Sequence, residues 1–405
     1  MRVTHVITRL IVGGAQENTI ASVLGLRQKP ALEVSLVSGP TVGPEGSLEP
    51  VFAGQPALLT LVPELVRPIH PWKDWLALRR LIKIFRSSRP DIVHTHSGKA
   101  GFLGRLAAAR AGVPIIIHTI HGPSFGAFQG PLADAAFRLA ERYAANATTH
   151  FVVVADAMKH RYLAAGIGRP EQYTKILSGF DLESFLTARN DPALRAQFGL
   201  NPADIVIGKI ARLFKLKGHE ALFTIAPALV RACPQVKFLL VGGGEWRHKF
   251  EQQARALGLE THFVFTGLVP PEAVPQLVGL MDILVHLSAR EGLARALPQA
   301  LAAGKPVVAY DSDGAKEVCL DGETGYLVKP GDLAALSARL LELAHDPALR
   351  DRLGRCGRQL VRDRFSAARM VDELYELYLR LARKQPAERR PAEARTAETR
   401  EGTGR

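Results

Sequence analysis

The stretch Asp282–Tyr310, DILVHLSAREGLARALPQALAAGKPVVAY, contains one complete unit of fold. "DILVHL" (282–287) is an apolar run of strand length, and "PVVAY" (306–310) is a second. The segment between them is rich in Ala and Leu at helical spacing. Strand, helix, strand, with the strands apolar throughout, describes a parallel sheet covered on both faces. Glu291 and Gly292 fall in the loop after the first strand. The helix is expected to start between Leu293 and Leu297, with Pro298 tolerated in its first turn. Gln299 then lies on that helix, eight residues after Glu291, or about 2.2 turns. A carboxylate followed by an amide at this distance suggests either an acid/base pair or two separate binding groups.

The same alternation runs through most of the chain. Strand candidates in the first half are "VTHVI" (3–7), "LEVSLV" (32–37), "ALLTLV" (57–62), "DIVHT" (91–95), "PIIIHT" (114–119) and "FVVVA" (151–155). The second half adds "IVIGKIA" (205–211), "VKFLLVG" (236–242) and "HFVFTG" (262–267) to the two above. Two such series predict an α/β protein of two doubly wound, Rossmann-like domains. The predicted boundaries are 1–185 and 186–365, within a segment (178–204) where Gly, Asn, Asp and Pro cluster. A helix over 366–384 is expected to pack back on the first domain. Residues 385–405, polar and rich in Pro, Ala, Arg and Glu, read as a disordered tail.

The chain has 405 residues, 47% of them hydrophobic and 22% charged, which fits a globular protein with more than one core. No apolar run is long enough for a membrane span. The N-terminus is broken by His5, Thr8 and Arg9 and reads as a strand, not as a signal peptide. The three cysteines, Cys233, Cys319 and Cys356, form no CxxC or Cys/His cluster. They are expected to be buried thiols of a cytoplasmic protein. The net charge of +13 points to anionic partners such as nucleotides or phospholipids. Nucleic acid is not expected, because no interleaved aromatics or binding module accompany the charge.

Ligands of doubly wound folds bind beyond the C-terminal ends of the strands. After the first strand, Gly13 and Gly14 precede a helix expected to start near Ala15. Glycines and a helix N-terminus suit an anion, although the spacing is not GxGxxG and a plain strand–helix turn is the alternative. "VHTHSGKAG" supplies His94, His96, Ser97 and Lys99. Two histidines at i and i+2 suggest a metal, but no third ligand is spaced nearby, and hydrogen-bonded histidines fit better. "HTIHG" ends with His121, which faces either a ligand or the structure. "GKIARLFKLKGHE" places Arg212 and Lys217 before a helix beginning near His219, a combination that suits a pyrophosphate. "LLVGGGEW" brings Gly243 and its neighbours to another strand end.

Together these segments resemble the retaining family 4 glycosyltransferases (glycosyl transferases group 1), which have the two-domain GT-B fold with a central cleft. The resemblance covers about residues 1–385 and rests on "GGAQ", "PDIVHTHSGKAGFLGRLAA", "HTIHG", "SGFDLESF", "GKIARLFKLKGH", "LLVGGGE", "FTGLVPPEAVPQL" and "SAREGL…LPQALAAGKPVVAYD" in the family's order. It implies transfer of a hexosyl group from a nucleoside diphosphate sugar, a co-substrate, to a glycan or lipid-linked hydroxyl. It further implies that Arg212 and Lys217 hold the diphosphate and that Gly14 lets its loop reach the β-phosphate. His121 would lie near the reacting centre, and Glu291 would bind donor-sugar hydroxyls with Gly292 and Leu293 near the phosphates. Gly13 and Gly243 join the donor side, while His94, His96, Ser97 and Lys99 take the acceptor side. Where family members commonly carry a second glutamate for the ribose, this chain has Gln299. Where a Gly–Gly pair is common, it has Asp313–Gly314.

An amide is a poor nucleophile, so Glu291 and Gln299 form no carboxylate pair, and same-face attack is favoured over a covalent intermediate. With the cations that the resemblance implies at the leaving group, no metal or cofactor is expected. The DxD in "DSDG" (311–314) is read as a loop or helix cap. Arg295 either reaches an anionic substrate group or pairs with Glu291. In "HPWKDWLALRRLIKIFRSSRP" (70–90), Trp75, Leu78, Leu81, Ile82 and Phe85 are expected to cover the sheet. Trp72 and Leu76 fall among Lys73, Arg79, Arg80, Lys83 and Arg86, a pattern suited to an anionic membrane surface or to an ordinary solvated helix. The alternatives are a nucleotide-sugar 2-epimerase and a non-catalytic sugar-nucleotide binder. A dehydrogenase lacks its fingerprint.

Overall fold

The computed structural model describes residues 1–384. The tail predicted to be disordered, 385–405, lies outside the described residues. The chain forms two compact units: Met1–Phe180 together with the helix that starts at Ala367, and Asp181–Ser366. The first unit ends at Phe180, not at 185, because the helix Leu182–Leu186 packs against the helices Val274–Gly279 and Ala296–Ala302 of the second.

The first unit holds β1 (Arg2–Ile7), β2 (Glu33–Ser38), β3 (Leu59–Leu61), β4 (Ile92–His96), β5 (Ile115–Ile120), β6 (His150–Val153) and β7 (Tyr173–Lys175). All pair in parallel, in the order β3-β2-β1-β4-β5-β6-β7. Alternation along the strands builds two cores. Val3, Ile7, Leu36, Ile92 and Ile117 face the helices Gly14–Leu26 and Ala367–Arg383, whereas Val6, Val37, Val93 and Ile116 face Pro71–Ser88 and Gly98–Ala111. The C-terminal helix buries Met370, Val371, Leu374, Leu377, Tyr378 and Leu381, one stripe at helical spacing. It comes so close to Gly25 that a Cβ there would meet Val371 Cγ2 at 2.4 Å.

One helix face differs from expectation. The buried residues of Pro71–Ser88 are Ala77, Leu81 and Phe85. Trp75 lies about 120° round the helix from Leu81. It is 42% exposed and stacks on Trp72 at 4.9 Å, with Arg79 over its ring. Leu76, expected among the cations, is half-buried.

The second unit holds β8 (Ile205–Ile210), β9 (Val236–Val241), β10 (Phe263–Gly267), β11 (Ile283–His286), β12 (Val307–Tyr310) and β13 (Gly325–Val328). They form a parallel sheet in the order β10-β9-β8-β11-β12-β13. Ile207, Phe238, Leu240, Ile283 and Val285 meet Leu222, Phe223, Phe250 and Leu336 in its main core. Cys356 is exposed, against expectation. Its helix, Pro347–Arg362, turns Leu353, Gly354, Gly357 and Val361 inward and leaves position 356 outside.

Candidate active site

Both sheets reverse their strand order beside the first strand, between β1 and β4 and between β8 and β11. The crevice at such a switch point is where open α/β sheets hold ligands. In the second unit, Arg212 and Lys217 follow β8 and Glu291 follows β11.

Backbone contacts stitch the two loops together. Ala289 N–H donates to Leu216 O at 2.9 Å, and Ser288 Oγ donates to the same carbonyl at 3.3 Å. Gly218 caps the helix His219–Ala232 at φ +70°, and a Cβ on it would meet Leu287 O at 2.0 Å. The residue must therefore be glycine for both conformational and steric reasons. Held in this way, Lys217 Nζ lies 2.5 Å from Glu291 Oε1, with both side chains partly exposed. Burial raises the Glu291 pKa, but Lys217, His286 and the hydrogen bonds outweigh it, so the carboxyl sits below its ordinary range.

A third loop fixes Glu291 from behind. Glu291 N–H donates to Asp313 Oδ2 at 2.8 Å, Gly314 N–H donates to Gly292 O at 3.1 Å, and Ser312 Oγ donates to Ser288 O. Asp313 takes φ +48°, a left-handed conformation that Asp tolerates better than most residues. The DSDG segment is thus a loop with its second aspartate on a backbone N–H.

The helix after Glu291 runs Ala296–Ala302 with Pro298 in its first turn, and Gln299 on it is 8% exposed. Gly292 and Leu293 are buried beside it, while Arg295 is half-buried at the helix N-terminus. The three glycines after β9 have a structural use. Gly242 and Gly244 have φ of +138° and +154°, and a Cβ on either would meet the Ala211 or Leu213 carbonyl at 2.4 Å. Gly243 accepts from Leu213 N–H. Their close approach is therefore to the loop that carries Arg212.

Lys209, a residue the sequence reading passed over, lies on β8 beneath these loops. It is fully buried and its Nζ has no hydrogen-bond partner in the structure. Burial first, and the like charge of Lys217 second, bring its pKa down to about 7. A lysine inside an apolar strand run was the available signal.

In the first unit, Gly13 and Gly14 follow β1, and Gly14 opens the helix exposed. The residues assigned to an acceptor after β4 sit differently from expectation. His94 and His96 are 0% and 1% exposed, so neither presents its ring to solvent. Lys99 is tied to Asp74 at 2.5 Å and to the Pro68 carbonyl. Ser97 remains half-exposed at the helix start. The buried histidines bond one another: His96 Nδ1 to His121 Nε2 at 3.0 Å, and His96 Nε2 to His5 Nδ1 at 2.9 Å.

His5, His94 and His96 could together surround a metal ion, with β1 supplying the third ligand absent from the local sequence. Their ring nitrogens, however, are already engaged in hydrogen bonds: His5 Nδ1 with His96 Nε2 at 2.9 Å, and His94 with Tyr378 and Thr119. Burial pushes the pKa of all three well down, to about 3 for His5, and holds them neutral.

Two Rossmann-like domains, each with glycine-lined loops at a switch point, and in the second a Lys–Glu pair on the loops after β8 and β11, define a ligand-binding protein of the doubly wound α/β class. Family comparison is consistent with this. The model for glycosyl transferases group 1 matches residues 190–360, and that for the glycosyl transferase 4-like domain matches 14–176. EpsD, a Bacillus subtilis protein assigned as a glycosyltransferase, is 31% identical over 320 residues, 77% of this chain and 82% of EpsD. An Escherichia coli UDP-Gal:alpha-D-GlcNAc-diphosphoundecaprenol alpha-1,3-galactosyltransferase is 27% identical over 78% of this chain and 82% of its own length. Among solved structures, Anabaena HepE in complex with UDP and glucose matches with a TM-score of 0.78 at 22% identity, over 93% of this chain and 99% of HepE. The chain belongs to the glycosyl transferases group 1 family. It is a glycosyltransferase of GT-B fold.

Proposed function

We propose that the protein transfers a hexosyl group from a nucleoside diphosphate sugar to a hydroxyl of a glycan or lipid-linked acceptor, with retention at the anomeric carbon. The observation that carries this is the Lys217–Glu291 pair at the β8/β11 switch point, with Arg212 on the same loop as Lys217. Cleavage of the donor builds negative charge on the leaving diphosphate. Arg212 and Lys217 supply fixed positive charge there, and one such preorganised group is typically worth about 2.7–4 kcal/mol. Glu291 accepts from hydroxyls of the transferred sugar, Gln299 serves the ribose, and His121 stands by the sugar. With donor bound, Lys217 exchanges its carboxylate partner for phosphate and frees Glu291 for the sugar.

The bond from the anomeric carbon to the diphosphate oxygen breaks. The acceptor oxygen then bonds the same face, and its proton passes to the leaving phosphate. No step needs a metal, because side-chain cations carry the neutralisation. A lipid-linked acceptor is favoured by the diphosphoundecaprenol substrate named for the E. coli relative. UDP-sugars are the first donors to test, since the E. coli relative is named for UDP-Gal.

The exposed Trp72–Trp75 stack with Arg79 over it, and the exposed Ile69 (72%) just before their helix, suit peripheral attachment to an anionic membrane. Among the described residues no helix is long and apolar enough to cross a membrane. Flotation with anionic vesicles should fail for Trp72→Ser plus Trp75→Ser; unchanged flotation contradicts the attachment. A hydrolysis screen of UDP-, GDP- and ADP-sugars, with and without EDTA, tests the reaction. The expected result is one preferred nucleotide at undiminished rate in EDTA, and strict manganese dependence would contradict it.

A further inference from the structure

Six side chains of the first unit, drawn from β1, β4, β5 and its following loop, and the C-terminal helix, form one continuous hydrogen-bonded chain. Thr119 Oγ1 meets His94 Nε2 at 2.6 Å, and His94 Nδ1 meets the Tyr378 hydroxyl at 2.5 Å. The same hydroxyl meets His5 Nε2 at 3.4 Å. His5 Nδ1 meets His96 Nε2 at 2.9 Å, and His96 Nδ1 meets His121 Nε2 at 3.0 Å. His121 is the only member that is not fully or almost fully buried. Both ring nitrogens of His5, His94 and His96 are thereby used.

The tautomers follow from this network. A tyrosine hydroxyl has one proton to donate and stands here between two imidazole nitrogens. The shorter contact takes it, so Tyr378 donates to His94 Nδ1 and accepts from His5 Nε2–H. A neutral imidazole carries one N–H and one bare nitrogen, and burial keeps these rings neutral. Each remaining proton is then determined. His5 Nδ1 is bare and accepts from His96 Nε2–H, and His96 Nδ1 is bare and accepts from His121 Nε2–H. At the far end, His94 Nε2–H donates to Thr119 Oγ1.

We propose that Tyr378, acting through His5 and His96, is a positioning residue that holds His121 as its Nε2–H tautomer, so that His121 meets its ligand with Nδ1 as a hydrogen-bond acceptor. An acceptor nitrogen suits a sugar hydroxyl and does not suit a phosphate oxyanion. The ligand chemistry rests on the placement of His121 by the sugar proposed above, whereas the tautomer does not. The chain also gives the C-terminal helix a functional use, because it supplies the one phenol that sets the direction of every bond in the network.

The test is imidazole nitrogen NMR of the full-length protein labelled with 15N-histidine, assigned with His121→Asn. The expected wild-type signature is a pyrrole-type Nε2 and a pyridine-type Nδ1 for His121. Tyr378→Phe keeps the ring packing and removes the proton, so the His121 signals should move toward a tautomeric average while thermal unfolding stays cooperative. If Tyr378→Phe does not fold, His5→Gln breaks the same chain from β1 and should give the same shift. A His121 protonated on Nδ1 in the wild type, or one unmoved in both variants, overturns the proposal. An equivalent of transition metal retained through dialysis and lost in His5→Ala would also overturn it. Should the tautomer hold while His121→Asn turns over donor at the wild-type rate, the chain stands and the placement of His121 by the sugar falls.

Discussion

Lys217 Nζ stands 2.5 Å from Glu291 Oε1, so the cation proposed for the diphosphate and the carboxylate proposed for the sugar neutralise one another in the structure. Each keeps the other's charge compensated in a partly buried place where an unpaired charge is costly. In the proposed mechanism, loss of Lys217 removes a group that acts on the leaving phosphate. Lys217→Ala should lower kcat by about 10²–10³-fold, the effect of removing one preorganised donor, and Glu291→Ala should nearly abolish turnover. Steady-state kinetics with the preferred donor checks both. A Lys217→Ala enzyme within tenfold of wild type would remove Lys217 from the leaving group.

Gln299, on the helix behind, has a carbonyl that can accept from one ribose hydroxyl and an NH₂ that can donate. With the ribose role proposed for it, Gln299→Glu supplies a charge-assisted bond and leaves the sugar contact unchanged. It should leave kcat within a few-fold and mainly change nucleotide affinity, as read by calorimetric titration with the free nucleoside diphosphate. Damage equal to that of Glu291→Ala would make the ribose assignment wrong.

Asp313 holds Glu291 through its backbone N–H at 2.8 Å while keeping φ at +48°. A hydrogen bond to a charged group is worth about 1.5–3 kcal/mol, so Asp313→Ala and Asp313→Gly should each raise donor KM about tenfold or more. They should part company in stability. Alanine inherits the left-handed conformation and its penalty of about 1–2 kcal/mol, whereas glycine does not, so Asp313→Ala should melt lower than Asp313→Gly. Equal donor KM in wild type and both variants would show that Asp313 does not position Glu291.

Lys209 is buried with no hydrogen-bond partner, and its pKa falls from 10.5 to about 7. The unfolded chain therefore binds the proton more readily than the folded one between those values. Stability from this group rises with pH through that window, and the charged form destabilises below it. Lys209→Met, of similar length and apolar, should raise Tm at pH 7. The gap to wild type should narrow toward pH 8.5. A Tm difference independent of pH, or a variant less stable than wild type, contradicts a neutral-seeking Lys209.

The strands that carry the site were legible because buried parallel strands read as unbroken apolar runs, as in "DILVHL" and "PIIIHT". β7 and β13, short edge strands, were not: "YTK" has no apolar run and "GYLV" opens on a glycine. Trp75 was misplaced because periodicity fixes a helix face only to within a residue or so, and a large aromatic biases the choice. The loop positions of Arg212, Lys217 and Glu291 could be read from strand ends. Contacts across sequence could not. Asp313 reaches Glu291 from 22 residues away, and His5 reaches His96 from 91 residues away. Tyr378 reaches His94 across 284 residues. Such pairs are set by strand order and by the return of the last helix, neither of which local composition encodes.

The stereochemistry of donor cleavage tests the account most directly. Proton NMR of the sugar first released from the preferred α-linked donor, with and without acceptor, should show the α configuration in the initial product. Release should be lost in Glu291→Ala, and no glycosyl adduct should form on any side chain. First-formed β product, or a trapped glycosyl–enzyme, would contradict same-face transfer at the Lys217–Glu291 site.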